Sequence, residues 1–240
     1  MKELIKRSIP FLLFVKMREI FRKIRIGALN EFAHTSFSQE GEDQVILRQL
    51  ADSSEGFYIE VGALAPKRFS NTWLFYTLGW SGILIEPNPT VKSGFQKSRP
   101  RDIFVNEGVS SHEQSLPYYQ FEEPAFNTFD HSTAKERRDQ GFAFNEETSI
   151  RTRPLKEILA QHLPPGTRIR LLSIDVEGFD EIVIKSNDWC KFHPEWLIVE
   201  ILNTDFTEIN QHPLALYLAE KNYQPFAKTG HSVIFHSNSQ

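Results

Sequence analysis

Residues 58–89 read YIEVGALAPKRFSNTWLFYTLGWSGILIEPNP. Two short apolar runs in this stretch end on acids, Glu60 and Glu86, and between them an apolar WLFY is preceded by Ser70-Asn71 and followed by Gly79. Ser or Asn ahead of an apolar run starts a helix, and Gly just past it stops one. The stretch therefore predicts strand, helix, strand, the unit of a parallel sheet.

The same alternation continues on both sides. SQEGEDQVILRQLA (38–51) predicts a helix with Ser38 or a neighbour as its cap and acids in its first turn, and NPTVKSGFQKS (88–98) another. DIFVNEGVS (102–110), RLLSIDVEG (170–178) and EWLIVEIL (195–202) predict a third, fourth and fifth strand, with helical DEIVIKSNDW (180–189) and HPLALYLAEKN (212–222) after the last two. Near-continuous apolar runs such as ILIE and WLIVEI suit strands buried on both faces. YQPFAKTGHSVIFH (223–236) predicts two more strands joined at Lys-Thr-Gly. The fold class is therefore α/β, a mostly parallel doubly wound sheet with an antiparallel C-terminal edge.

Residues 110–153 interrupt the pattern with aromatic patches and no clear helix before PLKEILAQHL (154–163). So long a structureless loop is improbable in a compact domain, so this stretch predicts an inserted hairpin or lid. Tyr118, Tyr119, Phe121, Phe126 and Phe129 are candidates to stack on a ligand, or to pack the insertion onto the core. Arg137, Arg138, Arg151 and Arg153 are candidates to meet phosphate or carboxylate.

With 240 residues, 40% of them hydrophobic, the chain suits one sizeable domain, taken as residues 36–240, behind an extension, residues 1–35. The single Cys190 allows no internal disulfide and points to a reducing compartment. Residues 1–26 hold eight Lys or Arg against two Glu, although the chain carries net charge −4. The main body is thus acidic, which disfavours nucleic acid as a partner. Leu13, Phe14, Met17, Ile20, Phe21 and Ile24 share one helical face, so residues 1–26 predict a basic amphipathic helix. Its apolar run is too short to span a bilayer. It suits peripheral contact with a membrane surface, contact between copies, or packing on the protein's own core. The expected location is cytoplasmic, with the inner membrane face as the alternative.

Ligands of open parallel sheets bind at the carboxyl ends of the strands, at the switch in strand order. Glu60, Glu86, Glu107, Asp175 and Glu200 all fall there. An acid after the second strand can accept both hydroxyls of a ribose, and Gly62 allows close approach after the first. Glu107 is a candidate acceptor for an adenine amino group. VGALAP lacks the later glycines of a dinucleotide loop, and no GxxxxGK[ST] exists, so a nucleoside without phosphates fits best.

Four blocks, SFSQEGEDQVI, the 58–89 stretch, LLSIDVEGFDEIVIKSNDW and PEWLIVEI, resemble in their order the FkbM family of S-adenosylmethionine-dependent methyltransferases, over roughly residues 36–202. The resemblance implies a Rossmann-like methyltransferase sheet. It also implies methyl transfer to a hydroxyl of a sugar, glycan or polyketide-type acceptor, which makes the insertion at residues 110–153 an acceptor-side lid whose aromatics would stack on sugar faces. It implies cofactor binding by Glu60, Gly62 and Glu86, with Glu60 standing where the family more often has Asp. Ser70 and Asn71 either cap a helix or receive the cofactor's carboxylate at its N-terminus. Asp175 and Glu177 are the catalytic candidates. Asp175 either takes the hydroxyl proton directly or joins Glu177, Asp180 or Glu200 around a divalent cation. His34, His131 and His231 are weaker candidates at the same crevice. A nicotinamide oxidoreductase would share the sheet and the second acid but wants more glycine and a phosphate site. A non-catalytic interaction protein on a methyltransferase shell would also accommodate the amphipathic start and the insertion.

Overall fold

The computed structural model describes residues 33–50 and 55–238, and the expected amphipathic helix at residues 1–26 lies outside them. Everything below concerns the compact unit Ser36–Gln240. It opens with α1 (Glu42–Gln49), β1 (Phe57–Val61), α2 (Trp73–Thr77), β2 (Ser81–Ile85), α3 (Lys92–Ser98) and β3 (Ile103–Val105). After an insertion, the chain resumes with α5 (Leu155–His162), β7 (Leu171–Ile174), α6 (Asp180–Lys185) and β8 (Trp196–Glu200). It closes with α7 (Pro213–Glu220), β9 (Tyr223–Lys228) and β10 (Ser232–Ser237).

Seven strands form one sheet in the order β3-β2-β1-β7-β8-β10-β9. Strands β3 to β8 in that order are parallel, whereas β10 runs antiparallel to both β8 and β9. The chain winds outward from β1 to β3, then returns to β7 on the other side of β1, so the switch point lies between β1 and β7. Alternation along each strand sends side chains to two cores. Ile59, Ile83, Leu172, Leu197 and Val233 pack against α5, α6 and α7. Tyr58, Leu84, Leu171, Ile198 and Ile234 meet α1, α2 and α3 on the other face. This is the doubly wound, Rossmann-like arrangement that the alternation predicts.

Three expectations need correction. DIFVNEGVS is not one strand, because only Ile103–Val105 joins the main sheet while β4 (Gly108–Val109) joins a second. That second sheet, β4-β6-β5, is built by the insertion from β5 (Gln114–Phe121) antiparallel to β6 (Phe144–Arg153). The insertion also holds a helix, α4 (His131–Asp139), which the sequence reading missed. Its apolar content is too low for a periodic signal, yet Asp130 caps it by accepting the Thr133 N–H at 2.6 Å. The helix after Ser38 starts later than expected, at Glu42, since Gly41 ahead of it is left-handed at φ 93°.

Candidate active site

A crevice of about 920 Å³, counting space open to solvent, lies at the carboxyl ends of β1, β2 and β7 under the insertion. Its walls include Glu60, Gly62, Asn71, Glu86, Glu107, Asp175 and Glu177 from the expected set. Ser70, Asp180 and Glu200 are not part of these walls.

At the end of β1, Glu60 is buried and faces inward to the protein as much as to the crevice. Its carboxylate accepts from Ser70 Oγ at 3.0 Å, the Asn71 N–H at 3.0 Å and Thr72 Oγ1 at 2.6 Å. Arg99, itself buried, reaches it at 3.3 Å and pairs with Asp102 at 2.6 Å. Burial raises the Glu60 pKa and Arg99 opposes the rise. Glu60 therefore fastens the loop before α2, and the expected direct grip on a ligand is not what its hydrogen bonds serve. Ser70 belongs to the same knot, accepting the Trp73 N–H at 3.0 Å just ahead of α2, whose N-cap position is held by Thr72.

Asn71 is held open to the crevice by that knot. Its Nδ2 donates to Ser173 Oγ at 2.9 Å, while Oδ1 is buried with no hydrogen-bond partner. Whichever way the amide is turned, one polar end has no partner among the described residues. A buried, unsatisfied amide is costly, so this one calls for a partner that the described residues do not supply.

Gly62 is left-handed at φ 81°, and a Cβ there would stand 1.8 Å from the Asp175 carbonyl oxygen. The close approach that requires glycine is between the β1 and β7 loops. The expected approach to a ligand is secondary to it.

Glu86 ends β2, fully buried, with one oxygen accepting the Leu64 N–H and the other the Asn88 N–H, each at 2.8 Å. Burial pushes its pKa up to about 7 despite those bonds. A carboxylate offers about four acceptor positions, so this one keeps room for a diol. Glu107 is different: its oxygens take Arg151 at 3.0 Å and Arg153 at 2.6 Å. It ties the β3–β4 link to β6 instead of presenting the free acceptor expected for adenine.

Beyond β7 the chain turns sharply, with Glu177 at φ 55° and Gly178 at φ 101°. A left-handed non-glycine residue is strained, and such strain concentrates at functional sites. The turn brings Glu177 beside Asp175 and Glu200, whose carboxylate oxygens lie within 4.8 Å of one another. Asp180, expected in this group, instead accepts the Val176 and Gly178 N–H groups at 3.3 Å each and braces the turn. Burial and then the other acids raise Asp175 well above the usual carboxylate range and push Glu200 up to about 10. The insertion closes over the turn: Thr128 Oγ1 donates to the Glu177 carbonyl at 2.8 Å, and Arg137 pairs with the Glu177 carboxylate.

Tyr118, Phe129 and Phe179 form an aromatic run on the insertion side, with ring centroids 4.7 and 5.9 Å apart. Tyr119 and Phe121 pack inside the insertion with Phe126 instead. None of the four candidate arginines lines the crevice. Arg137, Arg151 and Arg153 pair with the acids above, and Arg138 lies 3.6 Å over the Phe144 ring. His131 bonds the Tyr119 hydroxyl at 2.9 Å and His231 pairs with Glu40 at 2.5 Å, so both hold structure together. Asn88, Asn127, Phe179 and Gln39 also line the crevice and were not picked out as site residues from sequence.

Solved structures similar to this chain include a protein of Pyrococcus horikoshii described as an RNA methyltransferase, at 10% identity, covering 90% of this chain and 96% of that one with TM-score 0.44. Others are the METTL16 methyltransferase domain, at 10% identity over 82% and 66% with TM-score 0.42, and a TehB-like SAM-dependent methyltransferase from Corynebacterium glutamicum, at 8% identity over 92% and 97% with TM-score 0.37. A search of curated proteins gave no match. The profile of the Methyltransferase FkbM domain matches residues 60–225, from the acid that ends β1 into β9. That span takes in both strand-end acids, the insertion and the carboxylate group, and it places this chain in the FkbM family of methyltransferases.

Proposed function

We propose that the crevice binds S-adenosylmethionine and directs its methyl group to a hydroxyl oxygen of a sugar, glycan or polyketide-type acceptor. The residues present fit that donor. Glu86 has acceptor capacity left for the ribose diol, and Asn71 offers an unpartnered amide oxygen to an ammonium group. The donor, when bound, supplies an electrophilic methyl carbon on a sulfonium.

The observation that carries the choice of a hydroxyl is the grouping of Asp175, Glu177 and Glu200 within 4.8 Å. Crowded acids raise one another's proton affinity, so the member of the group that is left ionised is a strong base. An attacking hydroxyl must shed its proton, and Asp175, which lines the crevice, is the acceptor in this reading. An amine would fare worse, since clustered carboxylates keep it as a non-nucleophilic ammonium. The Tyr118–Phe129–Phe179 run gives the acceptor an apolar face to rest on. The spacing of the three carboxylates also favours a second reading of their role. They would be the ligands of a divalent cation, a hard ion suited to carboxylate oxygens, which would supply Lewis acidity at the hydroxyl.

Isotope-labelled donor with a panel of glycosides, macrolactone alcohols and their amino analogues tests the proposal. A base-stable methyl ether is the expected product. Label recovered only as N-methyl or as a base-labile ester would refute it.

A further inference from the structure

The SQ-x-GED block has no role in the site as described, yet it delivers one side chain to the crevice. Residues 36–43 form a strap fixed at several points. Asp43, fully buried, accepts from Ser36 Oγ at 2.6 Å, the Phe37 N–H at 2.7 Å and Ser38 Oγ at 3.1 Å. Glu42 accepts from Thr229 Oγ1 at 2.8 Å, and Glu40 from the His231 N–H at 2.8 Å. The Phe37 ring meets Trp73 edge to face at 6.2 Å. The strap thus runs between the start of α2 and the β9–β10 turn. Gln39 is its one residue in the crevice wall; it is exposed there, and among the described residues its side chain has no hydrogen-bond partner.

Where the strap lies decides which part of a ligand it meets. Glu86, with acceptor room for the ribose diol, stands on the β2–β3 side of the switch point, so the nucleoside belongs there. The amino-acid end then falls on the β1–β7 side with Asn71 and Asp175, where the strap sits. That end carries a carboxylate as well as an ammonium. The crevice walls hold five carboxylic acids and, among the described residues, no Lys, Arg or His. A ligand carboxylate there can be met only by neutral donors, and an unpaired side-chain amide is such a donor.

We propose that Gln39 is a donor-binding residue whose Nε2 donates a hydrogen bond to the α-carboxylate of S-adenosylmethionine. With Asn71 accepting from the ammonium, two amides read the amino-acid end in a crevice whose own charge would otherwise repel its carboxylate. This inference rests on the donor-binding reading above and adds the SQ-x-GED block to it.

Calorimetry on the full chain with two ligands separates the cases. S-adenosylhomocysteine has the amino-acid end; 5′-methylthioadenosine keeps the nucleoside and thioether without it. Gln39→Ala is expected to weaken the first about tenfold or more, the scale of a hydrogen bond to a charged group, and the second by less than about twofold. Gln39→Glu should weaken the first further, by setting a like charge against the carboxylate. Unchanged S-adenosylhomocysteine affinity in Gln39→Ala would overturn the inference and leave the donor-binding reading standing. An equal loss for both ligands would overturn it in favour of a structural strap. Failure of the unaltered protein to bind either ligand would remove the donor-binding reading and this inference with it.

Discussion

Gly62 and Asp175 share one small volume: the Asp175 carbonyl oxygen sits 1.8 Å from where a Cβ on residue 62 would stand. The Asp175 N–H in turn donates to the Val61 carbonyl at 3.1 Å, so the β1 and β7 ends are laced together at the switch point. Gly62→Ala adds a left-handed strain at φ 81° to this clash with backbone. We expect a loss of about 2 kcal/mol or more in denaturant unfolding, with S-adenosylhomocysteine binding reduced in whatever remains folded. Wild-type stability in this variant would show that the contact is not needed.

Arg99 bridges two buried acids, Glu60 and Asp102, and also donates to Thr72 Oγ1 at 2.7 Å. Removing it strands both carboxylates. Arg99→Met should cost on the order of 3–5 kcal/mol, as breaking a buried pair from one side does. The double variant with Glu60→Gln should recover part of that loss. Chemical denaturation of the single and double variants measures it, and equal stability of Arg99→Met and wild type would contradict the reading.

Much of this was legible beforehand because it rests on local chemistry. Apolar runs ending in acids gave the strands and the crevice, and Glu86 stands at the end of β2 as expected. What escaped depends on partners far apart in sequence. Glu60 looks like a ligand residue until Arg99, 39 positions on, is seen to engage it. Glu107 does too, until Arg151 and Arg153 fold over it. Asp180 braces the turn instead of joining the acids, because the left-handed turn at Glu177-Gly178 that it holds is not written in residue type alone. Helix α4 was missed since it buries only Ala134 and so shows no apolar period.

Glu86 makes stability and binding respond oppositely to pH. Its folded pKa, about 7, stands above the ordinary 4.5, so the ligand-free fold holds a proton there that the unfolded chain releases. The stability tied to this group is complete below pH 4.5 and is lost as the pH rises through 7, on the order of 3 kcal/mol at most. Ribose hydroxyls, however, donate best to the ionised carboxylate. S-adenosylhomocysteine affinity should therefore fall as the pH drops below 7, approaching tenfold per unit. Calorimetry between pH 5.5 and 8 on wild type and Glu86→Gln checks this, and a flat wild-type profile would count against it.

Asp175→Asn should leave the fold and most of the S-adenosylhomocysteine affinity in place while lowering turnover by about 100-fold or more. A chelator then divides the two readings of the acid group. Activity lost with chelator and restored by Mg²⁺ or Mn²⁺ assigns Asp175, Glu177 and Glu200 to a cation, whereas indifference to chelator leaves Asp175 as the direct proton acceptor. Full turnover in Asp175→Asn would exclude both.

The central claim is that this crevice holds a nucleoside donor through the acid that ends β2. Titration of the full chain with S-adenosylhomocysteine, alongside Glu86→Ala shown to be folded by its melting transition, tests it most directly. We predict saturable binding to the wild type and a loss of about 1–3 kcal/mol in the variant, the cost of leaving ribose hydroxyls unpaired. Equal affinity in both proteins, or no binding to the wild type, would contradict the account.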